Sequence, residues 1–209
     1  MVAPGKLVYM EKIAVGPDAA GKIDINAPVA ANLKAIAQAK HRDVDDLTVM
    51  ILDRPRHADL IRQVREAGAR IRLILDGDVA AAVSTCIEGT GIDLLIGIGG
   101  SPEAVVTACA LKCLGGEIQC KYWPRDDSER QYARDNGLDL DQVLCLDNLV
   151  NSDNVFFAAT GITRGELLDG VQYHGRGAHT SSIVMRSKSG TIRRIESTHR
   201  WDKLMRFSQ

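Results

Sequence analysis

The chain has 209 residues, of which 45% are hydrophobic and 25% are charged, and its formal net charge is -1. This length and composition are typical of a soluble globular protein and suit one α/β domain. The near-neutral charge and the 4% aromatic content give no reason to expect nucleic acid or an anionic membrane as a partner. No apolar run approaches the roughly 20 residues that cross a bilayer, and no secretory signal is evident, so we expect a cytoplasmic protein.

Predicted strands and helices alternate along the first two thirds of the chain. The segments LTVMIL (47–52) and IDLLI (92–96) are almost continuously apolar, as strands buried on both faces are. The alternation predicts a mostly parallel sheet with helices on both faces. In chain order the predicted elements are a strand at 6–16, a helix at 26–39, a strand at 47–52, a helix at 56–69, a strand at 70–75, a helix at 77–89, a strand at 92–100, a helix at 101–114, a strand at 117–123 and a helix at 128–137.

The pattern changes after Val155. A strand is predicted at 155–162, and the segment 171–197 is typical of antiparallel strands that turn at Ser189 and Gly190. The predicted fold class is therefore α/β with additional antiparallel C-terminal strands, in a single domain covering 1–209.

Five cysteines are present, an odd number, with no C-x-x-C pair and no histidine spaced to complete a zinc site. They lie mostly in apolar stretches, so we expect free, buried thiols, because free cysteine packs as a small hydrophobe. They are Cys86, Cys109, Cys113, Cys120 and Cys145.

Three predicted strands are followed by turns that combine chain-bending residues with charge. These turns are DRPRH (53–57), DGD (76–78) and GIGGSPE (97–103). In open α/β sheets, ligands bind beyond the carboxyl ends of the strands. We therefore expect the three turns to lie side by side at one edge of the sheet.

Each turn has a functional and a purely structural interpretation. Arg54 and Arg56 offer guanidinium groups that match phosphate oxygens, although paired arginines before a helix also commonly face water. The carboxylates of Asp76 and Asp78 can accept hydrogen bonds from sugar hydroxyls, although an aspartate before Val79 can also cap a helix.

The turn GIGGSPE has the same two interpretations. Ser101 as N-cap, Pro102 and Glu103 are common at any helix start. The glycines would also let a phosphate approach the backbone, and Glu103 would suit a hard metal ion. Pro102 stands where the third glycine of a dinucleotide fingerprint would be needed, so that fingerprint is absent. Together the three turns describe a site for a sugar phosphate.

Seven blocks of the sequence resemble, in the same order, the class II fructose-1,6-bisphosphatases, some of which also hydrolyse sedoheptulose-1,7-bisphosphate in photosynthetic bacteria. The resemblance extends from about Lys6 to His199. The blocks are VYMEKIAVGP, ILDRPRHADLI, DGDVAAAV, GIGGSPEAVV, SDNVFFAATGIT, RSKSGTIRRIES and TH.

The resemblance implies metal-dependent hydrolysis of the 1-phosphate of fructose-1,6-bisphosphate, in gluconeogenesis or the Calvin cycle. It implies that Glu103 ligates a divalent ion, Mn²⁺ or Mg²⁺, and it assigns no catalytic residue within this chain. The residues that it implies for substrate binding are Tyr9, Arg54, Pro55, Arg56, Asp76, Gly77, Asp78 and Gly100.

The sequence also departs from the family pattern. Members carry an additional N-terminal half that supplies most of the metal carboxylates, and this chain begins just before the Tyr9 strand. We therefore expect the chain to be the substrate-binding half, acting with a complementing N-terminal half or as a homo-oligomer. Two alternatives remain open, a non-catalytic sugar-phosphate-binding module and an inactive fragment.

Overall fold

The larger of two sheets contains six strands in the spatial order β3-β2-β4-β1-β5-β6. Strand β4 is parallel to β2, which is parallel to β3, while β1 is antiparallel to both β4 and β5. Four strands, β2 to β5, therefore run in the same direction. The strands are β1 (Tyr9–Val15), β2 (Thr48–Leu52), β3 (Arg70–Ile74), β4 (Leu94–Gly100), β5 (Glu117–Tyr122) and β6 (Leu144–Cys145).

The computed structural model describes residues 5–204. Seven α-helices occur in this range, of which four have nine or more residues and three are shorter. The helices are α1 (Val29–Ala39), α2 (Ala58–Glu66), α3 (Asp78–Ser84), α4 (Ser101–Leu114), α5 (Asp127–Asp135), α6 (Leu146–Leu149) and α7 (Trp201–Leu204). None of the helices in this part of the chain is long and apolar enough to cross a membrane.

The two faces of the first sheet are covered by different helices. On one face, α1 and α2 bury Leu33 and Val64 against Ile13 and Ile51 of the strands. On the other face, α3 and α4 pack against the alternate strand residues, represented by Met10. The predicted α/β fold with helices on both faces is confirmed.

The second sheet is antiparallel and lies against the far side of α3 and α4. It consists of β7 (Phe156–Thr160), β8 (Gln172–His174), β9 (Gly177–Arg186) and β10 (Thr191–Arg200). Strand β9 pairs with β10 along one edge and with β7 and β8 along the other. The predicted antiparallel C-terminal strands are confirmed.

Helix α4 lies between the two sheets, and its composition reflects this position. Ala104 and Ala108 pack into the core of the first sheet, while Ala110 and Cys113 pack against Ile183 and its neighbours in the second. Small side chains let a helix approach both layers closely, and close-packed interiors leave little room for larger ones.

The single-domain assignment of 1–209 stays a prediction, and its ends at 1–4 and 205–209 lie outside the described residues.

All five cysteines are free. Cys113 and Cys120 are buried and Cys86 and Cys109 partly buried, as expected, but Cys145 is exposed. Cys145 ends the two-residue strand β6 and directly precedes α6, at the edge of the sheet. The expectation of burial was therefore wrong for this residue.

Candidate functional site

A cleft of about 560 Å³ opens at the carboxyl ends of β2 and β4 and at the turn after β3. Because β1 runs in the opposite direction, its first residue, Tyr9, reaches the same edge of the sheet. The three charged turns converge there, as the sequence predicted. The predicted residues that line the cleft are Tyr9, Arg54, Arg56, Asp76, Gly77, Asp78, Gly100 and Glu103.

Pro55 is the predicted site residue that is not among those lining this cleft. Pro55 is exposed and lies between Arg54 and Arg56 in the sequence. It is the first residue of a short 3-10 helix (Pro55–His57). The ring fixes the backbone φ angle at this position. Pro55 thus sets the direction of the chain between two arginines that do line the cleft.

Arg54 ties two of the turns together. Its Nη2 atom donates to the carbonyl oxygen of Leu75 at 2.6 Å and to Asp76 Oδ1 at 3.0 Å. The carboxylate of Asp76 is 88% exposed, so this ion pair is screened by water and adds little stability. Its contribution is geometric, because it holds the turn after β3 beside the turn after β2.

Arg56 and Tyr9 form a second link across the cleft. The Arg56 guanidinium lies over the Tyr9 ring, 5.1 Å from its centroid, and its Nη2 atom donates to the carbonyl oxygen of Ile98 at 2.8 Å. The Trp123 ring packs edge-on against the Tyr9 ring, with ring centroids 6.3 Å apart and an interplanar angle of 85°. Tyr9 is therefore both a packed aromatic and part of the cleft wall.

Asp78 does not cap helix α3. It is the first residue of that helix, with Gly77 at the cap position in a left-handed conformation at φ 89°, which favours glycine. The Asp78 Oδ2 atom instead accepts a hydrogen bond from Lys12 Nζ at 2.7 Å, in a pair whose side chains are 11% and 2% exposed. The structural alternative of a helix cap therefore does not apply to Asp78, because this long-range ion pair takes the carboxylate.

Gly99 lies directly against this ion pair. A methyl group at Gly99 would overlap the carboxylate of Asp78 and would come within 3.0 Å of Lys12 Nζ. Lys12 comes from β1 and Asp78 from α3, so the pair joins two elements beneath the cleft. Sequence patterns did not single out Lys12, because a lone lysine in a strand gives no local sign of an interior partner.

Ser101 is the first residue of α4 and not its cap. Its buried hydroxyl donates to the carbonyl oxygen of Leu7 at 2.8 Å, and its backbone N–H donates to that of Val8 at 2.9 Å. The predicted N-cap role of Ser101 was therefore wrong, because tertiary hydrogen bonds replace the local one. Gly100 stands at the cap position with extended backbone, and Glu103 lies in the first turn of the helix, exposed and facing the cleft.

His57 joins the ends of two strands behind the cleft. Its Nδ1 atom lies 2.7 Å from the carbonyl oxygen of Leu52, and its Nε2 atom lies 2.7 Å from the backbone nitrogen of Ile98. The carbonyl can only accept and the N–H can only donate, so the ring is neutral with its proton on Nδ1. Burial is the main cause that lowers the pKa of His57 from its ordinary 6.5, and the charges of Arg56 and Arg54 lower it further against the opposing effect of the Leu52 hydrogen bond.

Arg125 also lines the cleft, and the sequence interpretation missed it. It follows β5 in the segment Trp123-Pro124-Arg125, and β5 runs in the same direction as β2 and β4. The carboxyl-end rule therefore applies to this turn as well. The sequence Trp123-Pro124-Arg125 does follow a predicted strand. It indicates a cleft residue only when β5 is known to belong to the same sheet and to run in the same direction as β2 and β4.

Divalent ions prefer carboxylate oxygens, and Glu103 supplies one such ligand in the cleft. Within residues 5–204, the one group of three or more side chains close enough to share an ion is formed by Asp43, Asp45 and Asp46. This group precedes β2 and is therefore at the opposite edge of the sheet, where Arg70 donates to Asp46 at 3.0 Å. The described residues of the cleft thus fit a divalent ion in ligand type but do not complete a site for one.

The cleft wall therefore combines three guanidinium groups with three carboxylates. Guanidinium groups bind phosphate oxygens in bidentate pairs, and carboxylates accept hydrogen bonds from hydroxyl groups. The fold and the cleft define the class as an α/β protein with a polar ligand cleft at the carboxyl ends of its parallel strands.

Comparison with known proteins gives the family. The family model for bacterial fructose-1,6-bisphosphatase, glpX-encoded, matches residues 1–199, and the chain belongs to this family. The chain is 44% identical over 208 residues to the D-fructose 1,6-bisphosphatase class 2/sedoheptulose 1,7-bisphosphatase of Synechococcus sp. (strain JA-2-3B'a(2-13)), covering 93% of this chain and 60% of that protein. It is 42% identical over 213 residues to the fructose-1,6-bisphosphatase class 2 of Haemophilus influenzae (strain ATCC 51907 / DSM 11121 / KW20 / Rd), covering 96% of this chain and 64% of that protein.

The chain thus spans less than two thirds of the length of the curated relatives that it matches.

Proposed function

We propose that this chain forms the substrate-binding part of a metal-dependent fructose-1,6-bisphosphatase, a cytoplasmic enzyme of carbohydrate metabolism that also accepts sedoheptulose-1,7-bisphosphate. The observation that carries the proposal is the convergence of three charged turns on one cleft, in a chain of this family. A sugar bisphosphate carries phosphate groups that suit the arginines and hydroxyl groups that suit the carboxylates.

The proposed roles follow from the chemistry of each side chain. Arg54 and Arg56 bind phosphate, and Asp76 and the Oδ1 atom of Asp78 accept hydrogen bonds from sugar hydroxyls. The backbone at Gly77 and Gly100 allows close approach of the substrate. Tyr9 completes the cleft wall through its ring and hydroxyl. Pro55 restricts the backbone between Arg54 and Arg56 and so orients both arginines. Positioning a substrate in this way lowers the entropic part of the barrier to reaction.

We propose that Glu103 ligates Mn²⁺ or Mg²⁺, which supplies Lewis-acid stabilisation of phosphoryl charge when bound. One carboxylate does not hold such an ion alone. The remaining ligands would come from polypeptide outside the part described here, in the same protein or in a partner chain. No step of hydrolysis is assigned to residues of this chain, whose role is to bind and orient the sugar.

Calorimetric titration of the 209-residue chain with fructose-1,6-bisphosphate tests the binding part of the proposal. The wild-type chain should bind, and Arg56→Gln should weaken binding roughly 10- to 100-fold, the effect of losing a charged hydrogen bond. Arg62→Gln is the matched control, because Arg62 is exposed on α2 and lies outside the cleft. Equal affinities of the wild type and Arg56→Gln would contradict the proposal.

A second experiment tests the enzymatic part. The chain would be mixed with the N-terminal half of a related enzyme, and phosphate release would be followed with Mn²⁺ present. Recovery of activity supports the bisphosphatase, and demonstrated association without turnover contradicts it.

The second candidate function is a non-catalytic sugar-phosphate-binding module. It is favoured because, among the described residues, the three cleft carboxylates Asp76, Asp78 and Glu103 do not form a group close enough to share an ion. This candidate predicts Arg56-dependent binding without turnover by the chain alone. Manganese-dependent phosphate release by the purified chain would exclude it.

A further inference from the structure

Arg125 stands at the cleft without a role in the function proposed above. It follows β5 and precedes α5, so it reaches the cleft from the side opposite to Arg54 and Arg56, across β1 in the order of the strands. The cleft is therefore flanked by cationic groups on both sides of the central strand β1.

Arg125 and Arg56 share one aromatic partner. The guanidinium carbon of Arg125 lies 5.7 Å from the centroid of the Tyr9 ring, and that of Arg56 lies 5.1 Å from it. Cations over an aromatic face are attracted by its quadrupole, which offsets part of their mutual repulsion. Tyr9 thus allows two cations to lie near its ring when no anion is bound.

A buried carboxylate fixes the orientation of Arg125. Its Nε atom donates to Glu129 Oε1 at 2.7 Å, its Nη2 atom donates to the same oxygen, and its backbone N–H donates to Oε2 at 2.8 Å. The Glu129 side chain is only 5% exposed, whereas that of Arg125 is 51% exposed. These hydrogen bonds use one side of the guanidinium, and among residues 5–204 no hydrogen bond engages Nη1.

The Arg125 side chain, which Glu129 already orders, can therefore bind an anion in the cleft at little further entropic cost. A long side chain that is already ordered loses less conformational freedom when it binds a ligand. An arginine whose only role was to pair with Glu129 would not need to line the cleft or to lie over Tyr9.

We propose that Arg125 binds one of the two phosphate groups of a sugar bisphosphate, and that Arg54 and Arg56 bind the other. This inference rests on the proposed function and extends it, because it makes Arg125 the residue that gives the cleft its selectivity for bisphosphates over monophosphates. The two phosphates then lie on opposite sides of Tyr9.

The test is calorimetric titration of the full 209-residue chain with three probes, fructose-1,6-bisphosphate, fructose-1-phosphate and fructose-6-phosphate. Wild type, Arg125→Gln and Arg125→Lys are compared, with Arg130→Gln as the control because Arg130 is exposed on α5 and does not line the cleft. Circular dichroism melts check that each variant folds. The lysine variant retains a cation that can pair with Glu129, so it covers the case in which the glutamine variant does not fold.

Arg125→Gln should weaken binding of the bisphosphate and of one monophosphate roughly 10- to 100-fold and leave the other monophosphate unchanged. Arg125→Lys should show a smaller loss for the same two probes, because an ammonium group cannot form the planar fork. Arg130→Gln should bind all three probes as the wild type does.

Three results would overturn the inference. Unchanged binding of all probes by both Arg125 variants, with the wild type binding normally, removes the role of Arg125 and leaves the proposed function intact. Equal losses for both monophosphates also overturn it, because the effect would then be general and not tied to one phosphate. Absence of bisphosphate binding by the wild type overturns both the inference and the function on which it rests.

Discussion

Lys12 Nζ lies 2.7 Å from Asp78 Oδ2 in the interior of the protein, directly beneath the candidate cleft. Removing one member of a buried ion pair leaves the other charge uncompensated. We therefore expect Lys12→Met to lower the free energy of unfolding by about 3–5 kcal/mol. Urea denaturation followed by circular dichroism measures the change.

The double variant Lys12→Met/Asp78→Asn separates the charge effect from packing. It should recover part of the loss, because it removes the unpaired carboxylate together with its partner. Arg62→Met is the matched control, since Arg62 forms exposed ion pairs and should leave the free energy of unfolding nearly unchanged. A loss in Lys12→Met no larger than that of the control would show that the ion pair contributes nothing.

Gly99→Ala should destabilise the fold through the same ion pair. The new methyl group would overlap the Asp78 carboxylate, so the pair or the backbone of β4 must shift. Overpacking of this kind costs about 1–3 kcal/mol. Gly175→Ala is the control, because a methyl group there meets no atom within 4 Å. Equal melting temperatures of the two variants would contradict the expected overlap.

The neutral state of His57 makes stability depend on pH. Because the pKa of the folded state is lower than 6.5, the unfolded chain binds more protons as the pH falls below that value. The stabilising contribution is therefore complete above about pH 6.5 and is lost as the pH falls toward the pKa of folded His57. Melting temperatures measured between pH 5 and 8 should rise with pH across this window.

Substitution should identify His57 as the source of that dependence. His57→Gln should flatten the slope of melting temperature against pH near pH 6, because glutamine does not titrate. His41→Asn should keep the slope, since His41 is exposed and asparagine tolerates its positive φ of 54°. A slope retained in His57→Gln would place the titrating group elsewhere.

Cys145 should be the first thiol to be alkylated in the native protein. Burial raises the pKa of Cys120 to about 12 and that of Cys86 to about 11, so neither forms appreciable thiolate at neutral pH. The pKa of Cys145 is also raised, by partial burial and by the charges of Glu117 and Asp147, but this residue is the one exposed cysteine. Iodoacetamide labelling read by mass spectrometry should modify Cys145 first and Cys120 only after denaturation.

Cys145→Ser should remove the fast labelling phase without altering the slow one. Labelling of Cys120 at the rate of Cys145 in the folded protein would contradict this ordering.

The sequence was sufficient for features that local pattern controls. The runs at 47–52 and 92–96 predicted buried strands, and Val49 and Leu94 are indeed fully buried. The convergence of the three turns also followed from the sequence, because parallel strands that share a sheet end at the same edge. Strand direction alone was therefore enough to predict that these site residues lie together.

The features that the sequence did not predict depend on partners far along the chain. Ser101 and Asp78 have the residue types of helix caps, yet their side chains bond to positions 94 and 66 residues away. The roles of Lys12, His57 and Arg125 likewise depend on which elements become neighbours. Local propensity does not predict such contacts. It therefore predicted a cap at Ser101 that is not formed, and it did not indicate that Lys12 is buried in an ion pair.

The reversed direction of β1 has a practical consequence for work with this protein. Val8, immediately before that strand, already lines the cleft, so the backbone that enters β1 passes the ligand entrance. A dye attached at Val8 or Tyr9 would therefore stand at the ligand entrance. A label on α7, whose residues do not line the cleft, is the better choice for immobilised or fluorescent preparations.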